Sequence, residues 1–198
     1  MPSHKRTKFT GSSRALAAAA LLFFVLPAPA EQPDRLALCA ACHGPKGISP
    51  TPEIPSLAGQ PKIFLENQLV LIREGLRDIP LMKGLLDGIK DTDLSALAEY
   101  FQSLPPPTAA STPVNEERFA RGKTMAHAAL CGTCHHADYS GSQQIPRLAG
   151  QQEAFLLYAM KQFRDHSGPG RDTIMSASLY GINDEQLTDL AHFFAHYK

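Results

Sequence analysis

The chain has 198 residues, 43% of them hydrophobic, with 19 basic and 19 acidic side chains, which suits one large domain or two small ones. So balanced a charge, with no basic stripe interleaved by aromatics, argues against nucleic-acid binding. All four cysteines fall in two Cys-x-x-Cys pairs, which excludes a lone reactive thiol.

At the N-terminus, basic residues Lys5, Arg6, Lys8 and Arg14 precede an apolar run from Ala15 to Leu26 and the small-residue triplet Ala28-Pro29-Ala30. This order predicts a secretory signal over residues 1–30, cleaved after Ala30. The run ends at Pro27, short of the roughly twenty residues that span a bilayer, and the mature chain has no transmembrane span. Cleavage removes four basic groups and leaves 15 against 19, a mildly acidic chain.

Residues 31–104 and 114–198 repeat one another at an offset of 91 to 93. Cys39-Ala-Ala-Cys42-His43 falls on Cys131-Gly-Thr-Cys134-His135, and Pro55-Ser-Leu-Ala-Gly-Gln60 on Pro146-Arg-Leu-Ala-Gly-Gln151. Phe64-Leu65 falls on Phe155-Leu156, and Met82 on Met175. Each half closes on an amphipathic helical pattern, Leu94, Leu97, Ala98, Phe101 and Leu187, Leu190, Ala191, Phe194, with Asp91 and Asn183 as expected N-caps. Between the halves, Pro105-Pro106-Pro107 and a Thr/Ala/Ser stretch to Pro113 form a linker, 105–113, expected to act as a semi-rigid spacer. No strand periodicity is evident, so the fold class reads as all-α, with two small units of a size that often needs a cofactor to complete the core.

Cys-x-x-Cys-His is the attachment pattern of c-type haem: the two thiols add to the vinyl groups, and the adjacent imidazole is carried under the ring centre to bind iron. Zinc sites usually place their two Cys pairs within about 15 to 20 residues, whereas these stand 92 apart. A thioredoxin-like pair or simple disulfides would not account for the His in each motif. The motifs therefore predict two covalent haem c groups, held by Cys39, Cys42, Cys131 and Cys134, with His43 and His135 on the iron. In the first half Met82 is the one methionine available for the opposite face. In the second, Met125, Met160 and Met175 compete along with several His, and only Met175 has the repeat-equivalent place. A thioether in that position favours ferrous iron and closes the coordination shell, which suits electron transfer rather than catalysis. Met125 and Met160 read as packing residues, His136 as solvent-facing, and His127, His166, His192 and His196 as surface or packing residues.

With two Cys-x-x-Cys-His sites, two Pro-x-Leu-Ala-Gly-Gln segments, two distal Met residues and a Pro-rich middle, the mature chain resembles the bacterial dihaem cytochromes c4. The resemblance implies two tandem class I cytochrome c domains packed face to face, each wrapping one covalent haem. It also implies a periplasmic location, loose membrane association, and electron delivery towards a terminal oxidase. By similarity to class I cytochromes, the Pro55 and Pro146 carbonyls accept the second N–H of the iron-bound imidazoles. Arg77 and Arg171 stand before the Met loops, either as partners of haem propionates or as solvated cations. The second half departs from the first in a longer helical lead-in from Glu116, with Arg121-Gly122, and in having His136 where Gly44 follows His43. Two other functions share these motifs. One is the dihaem subunit of a periplasmic dehydrogenase, such as a flavin-linked sulfide dehydrogenase. The other is a dihaem peroxidase or thiosulfate-oxidising enzyme, which would need an open or unusual distal ligand.

Overall fold

The computed structural model describes residues 1–3, 35–165 and 170–198. Nearly all of the expected signal segment, its cleavage point after Ala30, and His166 lie outside the described residues. Chain contacts divide the molecule into two units, Met1–Glu31 and Gln32–Lys198, and every element below belongs to the second.

Among the described residues the chain is helical with no strand, and its β-type pairing is an isolated bridge between Ser142 and Ile145. The first half contains α1 (Leu36–His43), α2 (Lys62–Arg73), a single 3₁₀ turn at Pro80–Met82, and α3 (Asp91–Ser103). The second contains α4 (Glu116–Ala128), α5 (Cys131–His135), α6 (Glu153–Asp165), α7 (Thr173–Ser178) and α8 (Asp184–His196). No helix of the described residues is long and apolar enough to cross a membrane.

The repeat read from the sequence reappears as two hydrophobic clusters. Leu65, Leu86, Ile89, Leu94, Leu97, Ala98 and Phe101 are buried in the first. Their counterparts Leu156, Leu179, Ile182, Leu187, Leu190, Ala191 and Phe194 are buried in the second. The i, i+3, i+4, i+7 faces of α3 and α8 are thus the inward faces, and each large side chain so buried contributes about 2 kcal/mol. Met160 is buried in the second cluster and Met125 packs against it, both as core residues.

The two closing helices start differently. Asn183 caps α8: its side chain accepts from Gln186 N–H at 2.9 Å and the Gln186 side chain accepts from Asn183 N–H at 2.9 Å, a complete capping box. Asp91 does not cap α3; the N-cap is Lys90, with no side-chain bond, and Asp91 is the first helical residue. The register explains the correction, because Asp91 aligns with Asp184 and Lys90 with Asn183. An acidic residue there still favours the helix through the macrodipole.

The longer lead-in of the second half is α4, which crosses α8 at Gly122. A Cβ on Gly122 would sit 2.1 Å from the Asp189 carbonyl oxygen and 2.7 Å from Phe193 Cβ, so glycine alone allows this approach. Asp189, 4% exposed, receives Arg121 through Nε at 2.6 Å and Nη2 at 3.0 Å, while Arg118 lies 3.5 Å away. A buried carboxylate so close to a helix crossing is tolerated because two guanidinium donors meet it.

Residues 105–113 do not stand off as a spacer but lie against both halves. A Cβ on Gly59 would meet Pro106 Cβ at 2.6 Å, and one on Gly150 would meet the Pro107 carbonyl oxygen at 2.6 Å. Further along, Ala110 N–H donates to the Ala195 carbonyl at 2.8 Å and Thr112 Oγ1 meets His196 Nε2 at 3.0 Å. Proline sets the backbone angle of this segment, and the two glycines let it come close.

Candidate functional site: two repeated Cys-His-Met centres

In each half a short helix presents the attachment residues. Cys39 and Cys42 lie three apart on α1, which places them on one face one turn apart, and His43 follows as the last helical residue. Cys131, Cys134 and His135 repeat this on α5. All four thiols are unbridged; Cys39 and Cys131 are partly buried, Cys42 and Cys134 exposed. Burial pushes the Cys39 and Cys131 thiols up from their ordinary value, so they remain protonated at neutral pH.

Both imidazoles are buried, 8% and 6% exposed. His43 Nδ1 lies 2.8 Å from the Pro55 carbonyl oxygen and His135 Nδ1 2.8 Å from that of Pro146. A carbonyl can only accept, so Nδ1 carries the proton and Nε2 presents the lone pair. Burial lowers both imidazole pKa values and the carbonyl bond opposes that in part, which keeps the rings neutral and ready to ligate.

Met82 sits in the 3₁₀ turn, its N–H donating to the Ile79 carbonyl at 2.8 Å. Met175 sits in α7, its N–H held by Asp172 Oδ1 at 2.8 Å. The structure brings Met82 and Cys39 against the first hydrophobic cluster, and Met175 and Cys131 against the second. Each Met loop is closed by an arginine that the sequence reading passed over. Arg73 Nη1 donates to the Ile89 carbonyl at 3.0 Å and to Asp91 Oδ1 at 2.7 Å. In the second half, Arg164 Nη1 donates to the Ile182 carbonyl at 3.0 Å, and its Nη2 lies 2.7 Å from Asp184 Oδ1. Repetition of the Arg, Ile and Asp at matching offsets was the signal available for both.

Arg77 and Arg171 are half-buried, and each meets a glutamine rather than an acid. Arg77 Nη1 donates to Gln68 Oε1, and Arg171 Nη2 to Gln162 Oε1 at 3.2 Å, with the Arg171 guanidinium 5.3 Å from the Phe163 ring centre. Burial, then the like charge of Arg171, pushes Arg77 down to about 10. Two half-buried cations with neutral partners form a positively charged region that an anionic group would relieve.

The histidines of α8 have another role. His192, 5% exposed, has Nδ1 3.0 Å from Glu153 Oε2, and its Nε2 accepts from Asn115 N–H at 3.0 Å. His196, 3% exposed, has Nδ1 2.9 Å from the His192 carbonyl and Nε2 on Thr112. Glu153, His192 and His196 lie close enough to suggest a metal cluster, but every ring nitrogen already has a protein partner, so the trio ties the linker and α6 to α8. His127 and His136 are exposed.

The Pro-x-Leu-Ala-Gly-Gln repeat joins the halves. Gln60 and Gln151 are 4% and 3% exposed. Gln151 Oε1 accepts from Ser56 N–H at 2.8 Å and its Nε2 donates to the Ser56 carbonyl at 2.9 Å. Gln60 does the same to Arg147 of the other half, at 2.9 Å each way. Nearby, Gln152 Nε2 donates to the Ser49 carbonyl at 2.6 Å and Phe155 N–H to that of Pro52 at 3.1 Å.

Unbridged thiol pairs, neutral imidazoles with one nitrogen anchored, thioethers against the same cores and half-buried cations fit a covalently held, anionic, iron-bearing macrocycle. The fold and its sites define a c-type cytochrome with two tandem class I domains. The family model for cytochrome c matches residues 119–198. Cytochrome c4 of Azotobacter vinelandii is 30% identical over 80% of this chain and 84% of its own length. A thiosulfate dehydrogenase electron acceptor of Thiomonas intermedia is 31% identical over 95% of this chain and 93% of its own. The crystal structure of reduced cytochrome c4 from Pseudomonas stutzeri superposes with a TM-score of 0.76 at 28% identity, covering 83% of this chain and 95% of that one. The chain belongs to the cytochrome c4 family: it is an electron carrier whose cofactor is covalently bound haem c.

Proposed function

We propose that the protein is a periplasmic dihaem carrier that takes electrons from a donor protein and passes them towards a terminal oxidase. The observation that carries this reading is the repetition of the whole constellation in both halves: Cys pair, carbonyl-anchored His and Met. When bound, haem c supplies a one-electron ferric/ferrous couple at each centre. Cys39 and Cys42 hold the first group and Cys131 and Cys134 the second, within domains 31–104 and 114–198 on either side of the 105–113 linker. His43 and Met82 would hold the first iron, and His135 and Met175 the second. The Pro55 and Pro146 carbonyls orient the two imidazoles, and Arg77 and Arg171 supply positive charge to the propionates. With both irons closed by Met, no position is left for substrate, which argues against a peroxidase role. Signal cleavage after Ala30 leaves a chain in which no helix of the described residues is long and apolar enough to cross a membrane, with at most a loose association with its surface.

A second reading takes the donor to be a periplasmic dehydrogenase that keeps this chain as partner or subunit. The similarity to a thiosulfate dehydrogenase electron acceptor over nearly the full length favours it over a flavin-linked sulfide dehydrogenase.

One preparation tests these statements. Protein purified from the periplasm carries two haems by mass and is low-spin in both oxidation states. Met82→Ala and Met175→Ala each abolish one of two methionine-to-iron charge-transfer signals. A single haem, a high-spin site, or a variant that leaves both signals intact would refute the assignment, and a dehydrogenase copurifying in stoichiometric amount would favour the second reading.

A further inference from the structure

Each glutamine of the repeated Pro-x-Leu-Ala-Gly-Gln segment grips the peptide that anchors the histidine of the other half. The Pro55 carbonyl and the Ser56 N–H belong to one peptide unit. His43 Nδ1–H donates to that unit's oxygen at 2.8 Å, and its N–H donates to Gln151 Oε1 at 2.8 Å. The mirror arrangement joins His135, the Pro146–Arg147 peptide and Gln60, at 2.8 and 2.9 Å. The side-chain orientation is fixed by the partners, because Ser56 N–H can only donate and Ser56 C=O only accept. Gln60 and Gln151 are both buried, so neither bond competes with water.

We propose that Gln151 and Gln60 are positioning residues that tune, across the boundary between the halves, the basicity of His43 and His135 respectively, and so set each iron's potential from the opposite half. The inference rests on His43 and His135 being the axial ligands. Peptide resonance carries the effect: an N–H held by an acceptor shifts electron density onto the carbonyl oxygen and makes it a stronger acceptor. That oxygen then draws harder on Nδ1–H, the imidazole becomes a better donor through Nε2, and ferric iron is favoured. Removing the glutamine reverses each step, and the affected iron becomes easier to reduce. The change comes from a residue in the opposite half of the chain and leaves the thioethers, the Met and the proline in place.

The size follows from hydrogen-bond cooperativity of about 10–30% per bond, which corresponds to roughly a twofold change in the ferrous-to-ferric ratio at a given ambient potential. At 59 mV per tenfold for one electron, twofold is about 18 mV.

The test is a potentiometric titration of the intact dihaem protein followed by NMR, using the Met82 and Met175 methyl signals of the ferrous state to read each iron separately. If wild type does not show two such signals, the ligand assignment itself has failed. Given both signals, Gln151→Leu raises the potential of the His43 centre and leaves that of His135 in place, and Gln60→Leu does the reverse. Gln151→Glu at mildly acidic pH restores the wild-type potential, because a neutral carboxyl offers the same acceptor and donor. In wild type, a through-bond coupling between the Ser56 amide nitrogen and the Gln151 side-chain carbonyl carbon is measurable without any variant. No shift, a shift confined to the substituted half, equal shifts at both centres, or absence of that coupling each overturns the proposal.

Discussion

Tyr139 and Gly47 hold the same place in the two halves, with φ of 54° and 67°. Each carbonyl accepts two N–H groups: Gly47 from Leu57 and Ala58, Tyr139 from Leu148 and Ala149. This turn carries the chain from the His helix to the anchoring proline, so its left-handed residue is required in both halves. A non-glycine residue there costs roughly 1–2 kcal/mol. Tyr139 offsets the cost with edge-on contacts to Phe193, Phe194 and Tyr197, ring centres 5.4, 4.9 and 4.8 Å apart. Tyr139→Gly, although it relieves the backbone, is therefore expected to lower the unfolding free energy by about 2 kcal/mol, since losing a buried aromatic costs about 3–5. The denaturant midpoint measures this, and an unchanged or higher midpoint would contradict it. The Cys-x-x-Cys-His spacing was legible because the chemistry it serves is local. The left-handed tyrosine was not, because propensity disfavours it and its compensation comes from α8, more than fifty residues on.

The helices with strong apolar periodicity, α3 and α8, were legible in position and inward face, because burial acts on every third or fourth residue alike. Their starts were less so: a short polar residue near a helix start does not distinguish N-cap from first turn, and Asp91 proved to be the latter. The Met loops were placed by one residue each, and what closes them escaped notice, since an arginine that bonds a carbonyl 16 or 18 residues away leaves no periodic trace. Arg164 holds the Ile182 carbonyl and the Asp184 carboxylate together at the point where the Met175 loop enters α8. Its loss should free the loop without touching the ligand. In Arg164→Met, the Met175-to-iron charge-transfer signal should fade at a lower temperature than in wild type while that of Met82 keeps its wild-type profile. Equal thermal profiles at both centres would show that Arg164 does not restrain the loop.

At the scale of the molecule, the sequence described two small domains on a spacer, and reading each half against the other is blind to contacts between them. The structure adds the paired glutamines, the Gln152 and Phe155 bonds, and a linker seated on both halves. The glycine of each Pro-x-Leu-Ala-Gly-Gln segment belongs to this joint as much as the glutamine does. Gly59 and Gly150 have φ of 68° and 73°, and a methyl group on either would lie 2.6 Å from linker atoms. Domains of this size are marginal alone, so a shared joint of buried hydrogen bonds makes each depend on the other. Wild-type holoprotein should then unfold in one calorimetric transition. Gly59→Ala/Gly150→Ala lifts the linker and strains both turns, at a cost of about 1–3 kcal/mol for overpacking at each site. The pair should unfold at a lower temperature and in two steps, the second domain outlasting the first because the α4–α8 crossing and its aromatic cluster stay intact. A single transition at the wild-type temperature would show that the halves are joined by covalent continuity alone.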